Sequence, residues 1–128
     1  MFPTNIKLKK YVFNNLHYYL AKIKESILSA DQNSKVYLFG SVVTGNYNMA
    51  SDIDILIVIS VDRNIIQNAL DKENLGFAFE FHIRTEKESE PYFRHLKEFV
   101  LIWNVGWNIS SSYQNNYNNL WTRSGFKN

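Results

Sequence analysis

Apolar residues recur at Leu8, Val12, Leu16, Tyr19, Leu20, Ile23 and Ile27, with Lys9, Lys10, Lys22, Lys24 and Glu25 mostly off that stripe. The spacing predicts one amphipathic helix from about Asn5 to Ala30. Asp31-Gln32-Asn33-Ser34 ends it with turn formers. Val36-Tyr37-Leu38-Phe39 is uncharged and β-prone, which predicts a short buried strand broken by Gly40-Ser41. A segment of one or two helical turns follows. Ile53 to Ser60 is the most apolar stretch and predicts a central strand. Ile65, Ile66, Ala69 and Leu70 place a helix over Asp62 to Asn74, with Asp62 as its N-cap. From Phe77 to Arg84 the alternation is strict: Phe77, Phe79, Phe81 and Ile83 on one face, Ala78, Glu80, His82 and Arg84 on the other. That is a half-buried strand. Thr85 and Glu88 form a capping-box pattern for a last helix running to about Ile102, with Pro91 drawing its start toward Glu90.

The order helix, strand, short helix, strand, helix, strand, helix implies an α/β or α+β domain with a small sheet. Residues 1–102 form that domain, and no internal repeat is visible. Residues 103–128 differ: they hold all three Trp and seven Asn, with few aliphatic residues and poor periodicity. They read as an aromatic, Asn-rich C-terminal extension that packs on a second chain, either another copy of this protein or the acceptor of its reaction.

Composition narrows the chemistry. The 128 residues are 45% hydrophobic, enough for a core, and contain no Cys, so disulfides, thiolate metal sites and cysteine nucleophiles are excluded. Lys7, Lys9 and Lys10 interrupt any leader-like core near the start, and no apolar run is long enough to span a bilayer. The expectation is a cytoplasmic protein with no membrane association. Net charge is only +2, but residues 1–35 carry six Lys against Glu25 and Asp31, while residues 51–100 hold ten acids against six basic groups. An acidic middle between basic ends does not make the continuous basic face of a nucleic-acid binder. It suits a metal site.

The chemistry concentrates in Phe39-Gly40-Ser41-Val42-Val43-Thr44-Gly45 and Ser51-Asp52-Ile53-Asp54-Ile55. Asp52 and Asp54 open an apolar strand, and alternate strand residues face the same way. Two carboxylates on one face at a strand end can hold divalent cations, with phosphates and water completing a Mg²⁺ shell. Glu80, in the next strand, can supply a third carboxylate if the two strands pair. His82 and Arg84 share its face and could line the site, but read more readily as solvent-face residues than as catalytic ones. Gly40 permits close backbone approach or positive φ. Ser41 can cap the short helix and leave N–H groups aimed at a triphosphate, and Gly45 leaves room where that helix crosses the sheet. An Asp-x-Asp pair alone is a weak signal, since most such pairs are turn or cap residues. The weight comes from the strand contexts on both sides. His17 and His95 sit on predicted helices and receive no role.

Gly40-Ser41, ten residues, then Asp52-Ile53-Asp54 resembles the GS-x10-D-x-D signature of the DNA polymerase β-type nucleotidyltransferase superfamily. Without further domains, the chain resembles the minimal nucleotidyltransferases of bacteria and archaea over about residues 5–102. The resemblance implies the nucleotidyltransferase fold, a small mixed sheet of three or more strands flanked by helices. It implies Mg²⁺-dependent transfer of a nucleoside monophosphate from NTP, with ATP as the expected substrate and a two-metal site. By motif position Gly40 and Ser41 would bind the triphosphate, Asp52 and Asp54 would bind metal, and Glu80 would take the third acidic position. The family does not account for residues 103–128. Minimal nucleotidyltransferases are frequently paired with a HEPN-domain RNase toxin, and some act as antitoxins by adenylylating a tyrosine on it.

The leading expectation is therefore AMP transfer to a hydroxyl of a partner protein in a toxin–antitoxin pair. The nucleotide site uses nearly all of a 100-residue core, so an acceptor surface has to come from a second chain or from the extension. One alternative is a non-catalytic subunit that neutralises a toxin by binding. The Asp pair argues against it, since clustered acids are costly without metal. The other is a small-molecule nucleotidyltransferase working as a homodimer, with the acceptor pocket between subunits.

Overall fold

The computed structural model describes residues 5–48 and 50–102. The expectation for residues 103–128 lies outside them. Nine elements follow in order: α1 (Asn5–Asn14), α2 (Leu16–Ala30), β1 (Lys35–Phe39), α3 (Ser41–Thr44), β2 (Ile53–Ile59), α4 (Arg63–Asp71), β3 (Phe79–Thr85), α5 (Glu86–His95) and β4 (Phe99–Leu101). The strands form one mixed sheet in the order β3-β2-β1-β4. β2 runs antiparallel to β1 and parallel to β3, with α4 as the crossover between the parallel pair.

The single first helix expected from the apolar stripe is two helices. Asn15 leaves the helical region at φ −122°, ψ 33°. Its side-chain amide donates to the Tyr11 carbonyl at 2.7 Å, alongside its own backbone N–H at 3.1 Å, a local side-chain bond of the kind that disfavours Asn inside helices. Leu16, Leu20, Ile23 and Ile27 keep the expected stripe and are buried.

The last helix also departs from expectation. The Thr85–Glu88 capping box is formed in both directions, so α5 starts at Glu86 and Pro91 lies inside it. The helix stops at His95, and Leu96 is already extended. Phe99-Val100-Leu101 then pairs antiparallel with β1, Tyr37 opposite Leu101 and Phe39 opposite Phe99. Ile102 N–H adds a 2.8 Å bond to the Val36 carbonyl. The run Phe99 to Ile102 is β-prone, and pairing satisfies the backbone edge that β1 would otherwise expose.

The two faces of the sheet divide the labour. Val36 and Leu38 of β1, Ile53, Ile55 and Ile57 of β2, and Phe79 and Ile83 of β3 share one buried cluster with the helical residues Val12, Leu16, Leu20, Ile23, Ile27, Ile66 and Leu70. Each fully buried Ile or Leu contributes roughly 1.5–3 kcal/mol. The opposite face carries Tyr37, Phe39, Asp54, Glu80 and His82, with α5 laid against β2 and β3. There Tyr37, Phe93 and Phe99 make an edge-to-face group with centroids 5.0–5.6 Å apart. Among the described residues no helix is long and apolar enough to cross a membrane.

Candidate active site

Strand register assembles the site. β1 sets Phe39 opposite Asp54, and the parallel β2–β3 pairing sets Asp54 beside Glu80. Asp54 therefore sits at the chain turn where β1 ends in Gly40, pointing away from the Ile53, Ile55 and Ile57 core. His82, two residues beyond Glu80, projects on the same face.

Ligand atoms of Asp54, Glu80 and His82 all lie within 4.8 Å of one another. His82 Nε2 is 3.3 Å from Asp54 Oδ1 and 3.8 Å from Glu80 Oε2. When Asp54 is ionised it can only accept, and Nε2–H of His82 donates to it. His82 Nδ1 lies 3.1 Å from the Tyr92 hydroxyl of α5, which donates to it when the ring is neutral. Phe39 and Tyr92 pack edge-on to the imidazole at 5.1 and 5.8 Å. Burial pushes the Asp54 carboxyl above the ordinary carboxylate range; the His82 hydrogen bond opposes this, and neighbouring Glu80 adds to it. The two carboxylates are hard oxygen donors of the kind that can hold a divalent cation, with the imidazole beside them.

Gly40 is built into the same spot. It adopts φ +81°, ψ −155°, and a Cβ there would overlap Asp54 Oδ2. The missing side chain leaves that oxygen open on the turn side. Gly40, not Ser41, is the N-cap of α3; Ser41 is its first residue, and no side-chain cap bond forms. The sequence expectation that Ser41 caps this helix is thus corrected: the carbonyl that starts it belongs to Gly40, which accepts from Val43 and Thr44. Among the described residues, a Cβ on Gly45 would meet no atom within 4 Å. It serves as the left-handed C-cap, φ +87°, rather than as clearance over the sheet.

Asp52 stands apart from the three-residue cluster. β2 begins at Ile53, and Asp52 Oδ1 accepts from Lys9 Nζ of α1 at 2.9 Å. Arg84 turns its guanidinium to the Ile83 carbonyl and over the Tyr92 ring. Of the residues expected from sequence, the structure brings Gly40, Asp54 and Glu80 together, with Ser41 adjacent in chain. The sequence reading underrated His82 and missed Tyr92 and Lys9. Alternation with Glu80 was the available signal for His82; Tyr92 and Lys9 reach the site through tertiary packing.

Residues 20–104 match the family model of the nucleotidyltransferase domain. A crystal structure of a proposed nucleotidyltransferase is 36% identical, with a TM-score of 0.55, covering 66% of this chain and 98% of that one. A second, from Sulfolobus solfataricus, is 22% identical with a TM-score of 0.51, covering 85% of this chain and 96% of that one; at this identity it shows the fold alone. No curated protein matches the chain.

Proposed function

The chain belongs to the nucleotidyltransferase domain family, and from that we propose that it transfers AMP from ATP, with Mg²⁺, to a hydroxyl of a partner protein. The observation that carries the reading is the meeting of Asp54, Glu80 and His82 within 4.8 Å beside Gly40. Asp54 and Glu80 would hold the metal, joined by Asp52. Bound Mg²⁺ supplies charge neutralisation on the triphosphate and a template for in-line displacement.

The chain's own residues do the rest. Gly40 keeps the β1–α3 turn clear of a side chain, so that the triphosphate can lie against backbone next to Asp54. Ser41 offers a hydroxyl at the start of α3. The acceptor oxygen attacks the α-phosphorus, the bond to the β-phosphate oxygen breaks, and pyrophosphate leaves. The acceptor proton passes to Asp54 or Glu80. His82, held by Tyr92, fixes the Asp54 carboxylate.

A HEPN-domain toxin is the acceptor that the sequence resemblance supports. Incubation of the full chain with labelled ATP and Mg²⁺, with and without a HEPN-domain protein encoded beside it, tests this by intact mass. The expected result is one or more AMP units on the partner. AMP on a small-molecule acceptor, or none with any acceptor, overturns the partner-protein reading.

A further inference from the structure

Lys9 and Phe13 lie one helical turn apart on α1, and both reach the segment between α3 and β2. Phe13 stacks on Tyr47, ring centroids 4.6 Å apart and planes within 7°. Lys9 Nζ bonds Asp52 Oδ1 at 2.9 Å, with only 15% of the Lys9 side chain exposed. Phe13 is itself buried. Residues four apart share a helix face, so α1 presents an aromatic anchor and an ammonium together to the connection between Gly40-Ser41 and Asp52-Asp54.

We propose that Lys9 is a built-in counter-ion that holds Asp52 until a divalent cation displaces it. This rests on the reading of Asp52 as a metal ligand. An inner-shell Mg²⁺ sits about 2.0–2.1 Å from a carboxylate oxygen. The Lys9 ammonium already occupies that approach to Oδ1, and a second cation there meets its charge directly. Asp52 is also the one motif acid outside the Asp54–Glu80–His82 group. The ion pair accounts for that separation: α1 keeps Asp52 neutralised and turned toward itself. Metal entry at Oδ1 of Asp52 and the α1 ion pair compete for the same oxygen, while the Phe13–Tyr47 stack keeps α1 in place. Metal loading is thereby coupled to α1, with Lys9 as a positioning residue.

The test uses the full chain and Mn²⁺ alone as the probe, with affinity read by calorimetry. Lys9→Met keeps the aliphatic stem and removes the charge. It should tighten Mn²⁺ binding about two- to fivefold, the range of a partly exposed ion pair. Lys9→Arg should bind like wild type. Lys9→Gln repeats the measurement if Lys9→Met disturbs α1 in a thermal melt. Unchanged or weaker Mn²⁺ binding in the neutral variants overturns the proposal and leaves Lys9 a support for the loop. Asp52→Asn separates the two readings. If it binds Mn²⁺ like wild type, Asp52 is not a ligand. If it loses binding while Lys9→Met gains none, the counter-ion role alone fails.

Discussion

A Cβ on Gly40 would overlap the Oδ2 of Asp54. Two parts of the sequence motif, fourteen positions apart, thus constrain each other through space before any ligand arrives. The contact follows from register: Phe39 opposes Asp54, so the next residue of the turn passes over the carboxylate.

Gly40→Ala should therefore be harmful for two separable reasons. At φ +81°, ψ −155° the backbone is in a glycine-only region, and holding another residue there costs about 1–3 kcal/mol. The overlap with Asp54 adds to this. In an Asp54→Ala background the overlap with the carboxylate is gone, leaving the strain and a close 3.2 Å approach to the Cβ at position 54, so the same substitution should lower the denaturation midpoint less. Equal losses in both backgrounds would show that the overlap has no energetic weight.

Asp54 also gives a pH signature. Its folded-state pKa is raised, by burial first and with Glu80 contributing against the His82 bond. The folded protein then binds this proton more tightly than the unfolded chain. Its stabilising contribution is fully present below the ordinary carboxylate value and is lost as pH rises through the raised value. Asp54→Asn should remove that decline, and at neutral pH without metal it should be as stable as wild type or slightly more so. Urea unfolding across pH 3–7 measures this. A wild-type profile unchanged by the substitution would contradict it.

Asp31 has the opposite sign. Burial alone would raise its pKa, but it is lowered overall, since Ser60 N–H, Ser60 Oγ and Asn33 N–H all donate to the carboxylate, at 2.6, 2.7 and 3.0 Å. It ties the end of α2 to the end of β2, 29 residues on. Its contribution is present above the ordinary carboxylate value and lost as pH falls through the lowered one. Asp31→Ala should cost about 2–4 kcal/mol at pH 7, the scale of hydrogen bonds to a buried charge. The difference from wild type should shrink in acid. A loss that does not depend on pH would point to packing instead.

Asp31 marks the limit of what the sequence displayed. It read as one of four turn formers after a helix, and so it is, yet its work is done against Ser60, which no local pattern indicates. Local signals were sound where one segment decides the outcome: the Asp62 cap accepts from Asn64 N–H, and the Thr85–Glu88 box closes. They failed where a partner decides. The apolar stripe ran through Asn15 because periodicity does not register a side chain that bonds the Tyr11 carbonyl. Phe99 to Leu101 was read as helix because only the open edge of β1 makes it a strand. For the site, Gly40 and Asp54 were legible from spacing, and Glu80 from alternation once β3 pairs with β2. His82 carried the same alternation signal, but its bond to Tyr92 depends on how α5 lies on the sheet.

That bond supports the last prediction. Tyr92 and His82 reach Asp54 in series, at 3.1 and 3.3 Å. Groups that orient a metal-binding carboxylate typically change metal affinity about 10- to 100-fold when removed. His82→Ala should fall in that range for Mn²⁺. Tyr92→Phe keeps the ring against Phe39 and under Arg84 and loses only the hydroxyl bond, worth about 0.5–1.5 kcal/mol. It should weaken Mn²⁺ binding by roughly two- to tenfold, in proportion to that energy. The thermal response follows by mass action: a metal at 100 times its Kd stabilises by about 2.7 kcal/mol. At fixed Mn²⁺, the rise in melting temperature should be largest in wild type, smaller in Tyr92→Phe, and nearly absent in Asp54→Asn. Should Tyr92→Phe match wild type while His82→Ala loses binding, the imidazole acts on the metal unaided and the hydroxyl only packs α5. If His82→Ala also matches wild type, the metal is held by carboxylates alone, and the imidazole belongs to the aromatic layer beneath α5.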